Sequence, residues 1–376
     1  MSERLPELPA LTGLRGFAAL WVLLFHAWAL SGAPALAIPG TGSVQLGWFM
    51  NLGWAGVDLF FCLSAFLLVL PFAQWRYGGA PRPDTGRYLL RRVLRIYPAY
   101  IAQLTLLLLV AAVFGYVQTL DGKALVAHMF LWFNLGEPRF DPLLGVWFTL
   151  PIEFGFYLLL PLIAPLIDRR YWPWLLIAAL AVTLVTRYLL HLAYLGVSEP
   201  MRVIMIERLP GRLDQFVIGM LGGAAFVAAS LAQWRPRQPA LWLFAGLVGI
   251  ALLGAVILRV GDAYWRGHPL LFVWHTLFSV CLVPILLASA WGVAPVAALL
   301  ANRPLRYLGE ISFGVYLWHM PILVPILAHL PDSMDPAARF WSLLAFVVPA
   351  TVMVAHLSHR FIEQPFLRRK PPHRTG

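Results

Sequence analysis

The chain has 376 residues, 60% of them hydrophobic and only 12% charged, with a formal net charge of +11 and a mean hydropathy of +0.76. Soluble domains carry about 25% charged residues, so this composition excludes an ordinary soluble enzyme and marks an integral membrane protein. The basic residues punctuate apolar segments and form no single patch, which excludes a nucleic-acid-binding surface.

Apolar runs of about 20 residues mark candidate membrane spans. Ten occur, at roughly 11–31, 53–73, 97–117, 146–167, 172–193, 213–232, 240–258, 269–291, 309–329 and 340–359. The expected fold is therefore all-α and polytopic, a single domain over 1–376 with no room in any loop for a soluble module. The first run has features of a signal peptide: Arg4, an apolar core and a small-residue stretch at 33–37. Glu3 and Glu7 before it and Arg15 within it argue against cleavage. The run at 124–133 is too short to span and reads as interfacial or re-entrant. Cys62 and Cys281 both lie in apolar runs and read as small packed residues, not a disulfide. No CxxC or HExxH pattern occurs, so no metal site is expected. No sequence repeat supports the repeat architecture of many transporters.

Basic residues set the orientation. With ten spans the two termini share a side, and that side carries 18 Lys and Arg against nine opposite, with Arg15 inside the membrane. This bias places both termini in the cytoplasm.

Ionisable residues within spans usually mark function. Arg15 and His26 are eleven residues apart in the first span. On a helix that is about 20° beyond three full turns, with an axial separation of about 16 Å. The pair thus shares one face, with a cation toward one membrane surface and a potential base toward the other. The competing reading is a snorkelling Arg and a packed His. Depth along the first, second and fourth spans puts His26, Asp58 and Glu153 in one layer of the outer half. A His beside a carboxylate is suited to proton abstraction; independent packing of each group is the alternative. Between the second and third spans, RYLLRRVLRIYPAY holds Arg87, Arg91, Arg92 and Arg95. Arg92 and Arg95 would be neighbours on a helix. They could fork onto phosphate or simply meet anionic lipid. No P-loop or GxGxxG accompanies them, so nucleotide hydrolysis is not supported.

Six separated segments then fall in register with one family. They are Arg15 with His26; Gly56-Val57-Asp58-Leu59-Phe60-Phe61-Cys62-Leu63-Ser64-Ala65-Phe66-Leu67; Arg92, Arg95, Ile96 and Pro98; Phe148-Thr149-Leu150-Pro151-Ile152-Glu153 with Phe156-Tyr157; Tyr316-Leu317-Trp318-His319-Met320-Pro321; and Ile362-Glu363-Gln364-Pro365-Phe366. In these the chain resembles the acyltransferase-3 family of bacterial membrane acyltransferases, with Ala65 where Gly is commoner and Phe148 where Trp is usual. Many relatives carry a fused SGNH-type domain; none follows the last span here, so a stand-alone form is expected.

The resemblance implies transfer of an acyl group, most often acetyl, from cytoplasmic acyl-CoA to a hydroxyl. Acyl-CoA is a co-substrate, and no cofactor is permanently bound. The acceptor would be an envelope or secreted glycan or a small molecule. The setting would be the bacterial inner membrane, with lipid around the protein. In that picture Arg92 and Arg95, with Arg91, engage the CoA phosphates, and His26 is the base or nucleophile. Arg15 positions the thioester or steadies developing charge, while Asp58 and Glu153 orient His26 or the acceptor. Tyr157, His319 and Arg212 are candidate acceptor-binding residues. His319 reads equally well as packing, and Arg212 with Asp214 reads preferentially as a surface ion pair at the outer end of the sixth span. The Trp residues near span ends, including Trp48, Trp54 and Trp132, read as an interfacial belt. The competing classes are a proton-coupled transporter or flippase using Arg, His and Asp as a relay, and a non-catalytic sensor or assembly partner. Use of acyl-CoA in detergent separates the enzyme from both.

Overall fold

A computed structural model describes residues 7–36, 46–114, 120–134 and 142–368. Glu3, Arg4, Ala37, Arg139, Arg369, Lys370 and Arg374, used in the reading above, lie outside the described residues. Within them the chain is helical and has no strand. The helices are α1 (Pro9–Leu30), α2 (Gly47–Asn51), α3 (Gly56–Gly78), α4 (Thr85–Phe114), α5 (Gly122–Met129), α6 (Thr149–Ile163), α7 (Trp172–Ala193) and α8 (Glu199–Ile206). They continue with α9 (Leu209–Leu231), α10 (Pro239–Val260), α11 (Leu270–Ala290), α12 (Ala294–Leu300), α13 (Arg303–Glu310), α14 (Ser312–Ala328), α15 (Pro336–Ser358) and α16 (Gln364–Arg368). Nine helical segments among the described residues are long and apolar enough to cross a membrane, and the bent pair α13–α14 would make a tenth. The chain is an all-α polytopic membrane protein.

Local chemistry sets the boundaries. Pro occupies the first turn of α1, α7, α9, α10 and α15, where its missing N–H has no helical partner to lose. Asp335 caps α15 by accepting from the N–H groups of Ala337 and Ala338. Gly79 ends α3 at φ 68°, a left-handed conformation that Gly adopts without penalty.

Two boundaries differ from the hydropathy reading. The Arg-rich stretch is not a loop before a helix at Tyr97; it is the first third of the 30-residue α4, which carries Pro98 inside it. Arg and Leu are good helix formers, and membrane helices tolerate an internal Pro. The span expected at 309–329 is broken, with a 75° bend between Glu310 and Ser312.

The core is centred on α3 and α9. A Cβ on Gly219 would lie 2.2 Å from the Cys62 carbonyl oxygen, and one on Gly223 would lie 2.3 Å from that of Phe66. Two glycines one turn apart thus bring the two backbones together, the usual device of membrane helix pairs. α7 and α10 lie at the periphery, with Trp174, Ile177 and Leu189 of α7 and Phe244 and Leu252 of α10 exposed. Such apolar faces suit lipid contact. The expected short segment at 124–133 is the eight-residue α5, and both cysteines are free.

Candidate active site

Five helices surround an elongated cavity of about 120 Å³. α1 contributes Arg15, α4 contributes Arg92 and Arg95, α6 contributes Glu153 and Tyr157, and α14 contributes Ser312 and Tyr316. α3 lines it from Val57 to Leu68, eleven steps along a helix that rise about 16 Å. Its wall therefore carries three guanidinium groups and one carboxylate. That carboxylate is held by neighbours: Ser64 donates to Glu153 Oε1 at 3.0 Å, and the Tyr157 hydroxyl donates to the same oxygen at 2.5 Å. Neither Arg15 nor Arg92 makes a hydrogen bond or ion pair with another described residue. The Arg92 guanidinium instead lies 5.9 and 5.8 Å from the ring centroids of Tyr88 and Tyr157, and its buried Nε has no hydrogen-bond partner among the described residues. Arg95 is tethered loosely, to Glu363 at 3.4 Å and to the Glu310 carbonyl at 3.5 Å. Partly buried, under-neutralised arginines of this kind have the chemistry to receive an anion.

Beyond Tyr316 on α14 lies a second element, a histidine pair. His26 Nδ1 is 2.9 Å from the Val22 carbonyl oxygen and 3.3 Å from His319 Nε2. His319 Nδ1 is 2.6 Å from the Tyr316 carbonyl oxygen. A carbonyl only accepts, which assigns a proton to Nδ1 of both rings. His319 Nε2 then accepts from His26, and His26 Nε2 is left with a free lone pair. It has no hydrogen-bond partner among the described residues. Tyr316 connects the pair to the cavity: its hydroxyl lies 2.9 Å from Thr149 Oγ1 and donates to the Val146 carbonyl at 2.8 Å, and both Tyr316 and Thr149 line the cavity.

The expected layer of His26, Asp58 and Glu153 does not form as a hydrogen-bonded group. Glu153 joins the arginines in the cavity, and Asp58 faces a different set of helices. Equal depth fixes only one coordinate, and helix rotation separates the three. Asp58 is fully buried and accepts from Arg212, from Gln215 at 2.8 Å, and lies 2.9 Å from His275 Nδ1. Arg212 also pairs with Glu207 at 2.7 Å, and His275 Nε2 lies 3.3 Å from the same carboxylate. Burial opposes the charge of Glu207, yet Arg212 and His275 hold its carboxyl below the ordinary carboxylate range. Arg212 is therefore not part of a surface pair: its side chain is 2% exposed. Asp214, its expected partner, pairs instead with Arg187 at 3.1 Å. Trp54 packs against Trp274 at 5.2 Å and Trp265 at 5.7 Å. Trp48 and Trp132 are exposed.

Sequence reasoning passed over Glu207, His275, Gln215, Arg187 and Glu363. Four of these are buried polar residues in or beside apolar runs, the same signal that singled out Asp58. Glu363 stood in the last quoted segment.

The profile of the acyltransferase domain family matches residues 8–358. Among curated proteins, O-acetyltransferase OatA of Staphylococcus aureus is 25% identical over 379 residues, covering 96% of this chain and 57% of the relative. Peptidoglycan O-acetyltransferase OatA of Listeria monocytogenes is 26% identical, covering 95% of this chain and 55% of the relative. The chain thus spans little more than half the length of these relatives. No solved structure matches it.

Proposed function

Because the chain belongs to the acyltransferase domain family, we propose that it is a membrane O-acyltransferase that moves an acyl group, acetyl in the first instance, from cytoplasmic acyl-CoA to a hydroxyl of an envelope glycan. The names of the relatives make peptidoglycan the first acceptor to test. The observation that carries the reading is the cavity wall of three arginines and one glutamate. Such a wall suits the phosphates and developing charge of a CoA thioester.

Arg92 and Arg95 bind the phosphates at one end, with Arg91 next to them on α4. The acyl-pantetheine arm runs along α3, whose lining length of about 16 Å is of the order the arm needs. The thioester reaches the end marked by Thr149 and Tyr316, toward the histidines. There His26 Nε2 removes the acceptor hydroxyl proton as the oxygen bonds to the acyl carbon. The carbon–sulfur bond breaks, and the CoA thiolate leaves and is reprotonated. Arg15, inside the cavity, steadies charge on the donor. Glu153, tied by Ser64 and Tyr157, puts one negative charge in the same cavity wall as Arg15 and Arg92. Asp58 and Arg212, engaged with each other, are assigned to the architecture around the site.

The test uses purified protein in detergent with radiolabelled acetyl-CoA. Arg92→Ala and Arg95→Ala should each weaken acetyl-CoA binding about tenfold or more, the worth of one hydrogen bond between charged groups. Lys at either position should restore binding only in part, because it keeps charge and loses the fork. Wild-type affinity in both Ala variants would move the donor site elsewhere. A wild-type protein that neither binds acetyl-CoA nor labels any glycan would reject the enzyme.

A further inference from the structure

The buried face of α15 can be followed residue by residue. Phe340, Leu343, Val347, Thr351, Ala355 and Ser358 are all buried, at steps of three or four, as a helix packed on one side requires. Continuing the α-helix would next turn Ile362 inward. It does not continue. Residues His359–Glu363 form a π-turn, which inserts one extra residue and delays the buried face to Glu363, five residues after Ser358. The α-helix resumes only as α16, with Pro365, which has no N–H, in its first turn. The outcome is a fully buried carboxylate where an α-helix would have placed an isoleucine. π-turns inside α-helices are often found at functional positions.

That carboxylate meets a residue of the cavity wall, Arg95. Glu363 Oε2 lies 3.4 Å from Arg95 Nη1, and Arg95 Nη2 donates to the Glu310 carbonyl at 3.5 Å. The outer end of the Arg95 fork is thus held by the π-turn after α15 and the end of α13, while Arg95 lines the cavity. His359 Nδ1 is 3.6 Å from the same carboxylate oxygen. Glu363 Oε1 has no hydrogen-bond partner among the described residues.

We propose that Glu363 is a positioning residue for the donor: the π-turn delivers its carboxylate to the outer edge of Arg95 and so aims the remaining N–H groups of Arg95 at the CoA phosphate. The proposal rests on the assignment of Arg95 to the donor site. It extends that site to the C-terminal segment, which the cavity lining does not include.

The experiment measures the Kd for acetyl-CoA of the full chain in detergent, together with the midpoint of thermal unfolding. Glu363→Gln keeps the shape and removes the charge, and it should raise Kd about tenfold. Glu363→Asp keeps the charge on a shorter arm and should raise Kd less. In an Arg95→Ala background Glu363→Gln should have no further effect, because the group it aims is gone. An unchanged or lowered Kd in Glu363→Gln overturns the proposal, as does the same increment with and without Arg95. Should Glu363→Gln fail to fold, Glu363→Asp decides: a raised Kd supports the proposal and a wild-type Kd rejects it. If Arg95→Ala itself binds acetyl-CoA normally, the donor site is wrong and this inference falls with it. If Arg95→Ala binds weakly and Glu363→Gln does not, only the positioning role is lost.

Discussion

His26 and Arg212 are both ionisable groups in apolar surroundings, yet their replacement should give opposite phenotypes. His26 has one committed nitrogen and one free lone pair. His26→Ala should fold, insert and bind acetyl-CoA as wild type does, while transfer falls by about 10²–10⁴, the usual contribution of a general base. Full transfer by purified His26→Ala protein would remove the assignment. Arg212 instead neutralises two buried carboxylates, Asp58 and Glu207. Arg212→Ala takes the guanidinium from both, leaving Asp58 with Gln215 and His275 and Glu207 with His275, and removing one partner of a buried pair costs about 3–5 kcal/mol. The variant should unfold at a clearly lower temperature in detergent, or fail to accumulate. A stable, inactive Arg212→Ala protein would instead give Arg212 a role in chemistry. Sequence could mark both residues as unusual because the cost of burying a charge is visible in any apolar run. It could not tell them apart, because the partners sit 154 residues away in Asp58 for Arg212 and 293 residues away in His319 for His26. Only the rotation and order of the helices decide which buried polar group is already satisfied.

Helices are the level at which sequence reads best and still misses contact. Span positions follow from apolar length, so the edges of α9 and α11 fall within a few residues of the expected 213–232 and 269–291. Hydropathy reports the lipid environment and not backbone continuity, so it missed the helical Arg-rich start of α4 and the bend before α14. Nor did it show which helices touch, and the glycines carry that information. At Gly219 an added Cβ would sit 2.2 Å from the Cys62 carbonyl oxygen, and backbone cannot move aside as a side chain can. Gly219→Ala should therefore force α3 and α9 apart, at a cost of about 1–3 kcal/mol or more. Gly47 provides the control: nothing lies within 4 Å of an added Cβ there, and Gly47→Ala should unfold at or slightly above the wild-type temperature. Equal midpoints for the two variants would mean that the α3–α9 approach is not close in the membrane.

For the whole molecule, the fold supplies positions whose labelling reports which membrane face holds the arginine end of the cavity. Thr85 begins α4, seven residues before Arg92. Arg95 meets Glu310 just before α14 and Glu363 just after α15. The turn between α14 and α15, which contains the exposed Ser333, must therefore lie at the opposite end of both helices. The charge bias assigns the Thr85 side to the cytoplasm, with 18 basic residues against nine. Burial strengthens it, since Arg187 and Arg212 of those nine sit inside the protein and do not act as loop charges. Acyl-CoA is a cytoplasmic metabolite too large and too charged to cross a bilayer unaided, so donor entry beside Arg92 and Arg95 requires this orientation. In a Cys281→Ser background, with Cys62 buried, a membrane-impermeant maleimide applied to intact cells should label Ser333→Cys and not Thr85→Cys. Applied to inverted vesicles it should label Thr85→Cys and not Ser333→Cys. The reverse pattern would place the arginines on the outer face, where no acyl-CoA is available, and the anion receptor would then have to serve an extracytoplasmic ligand.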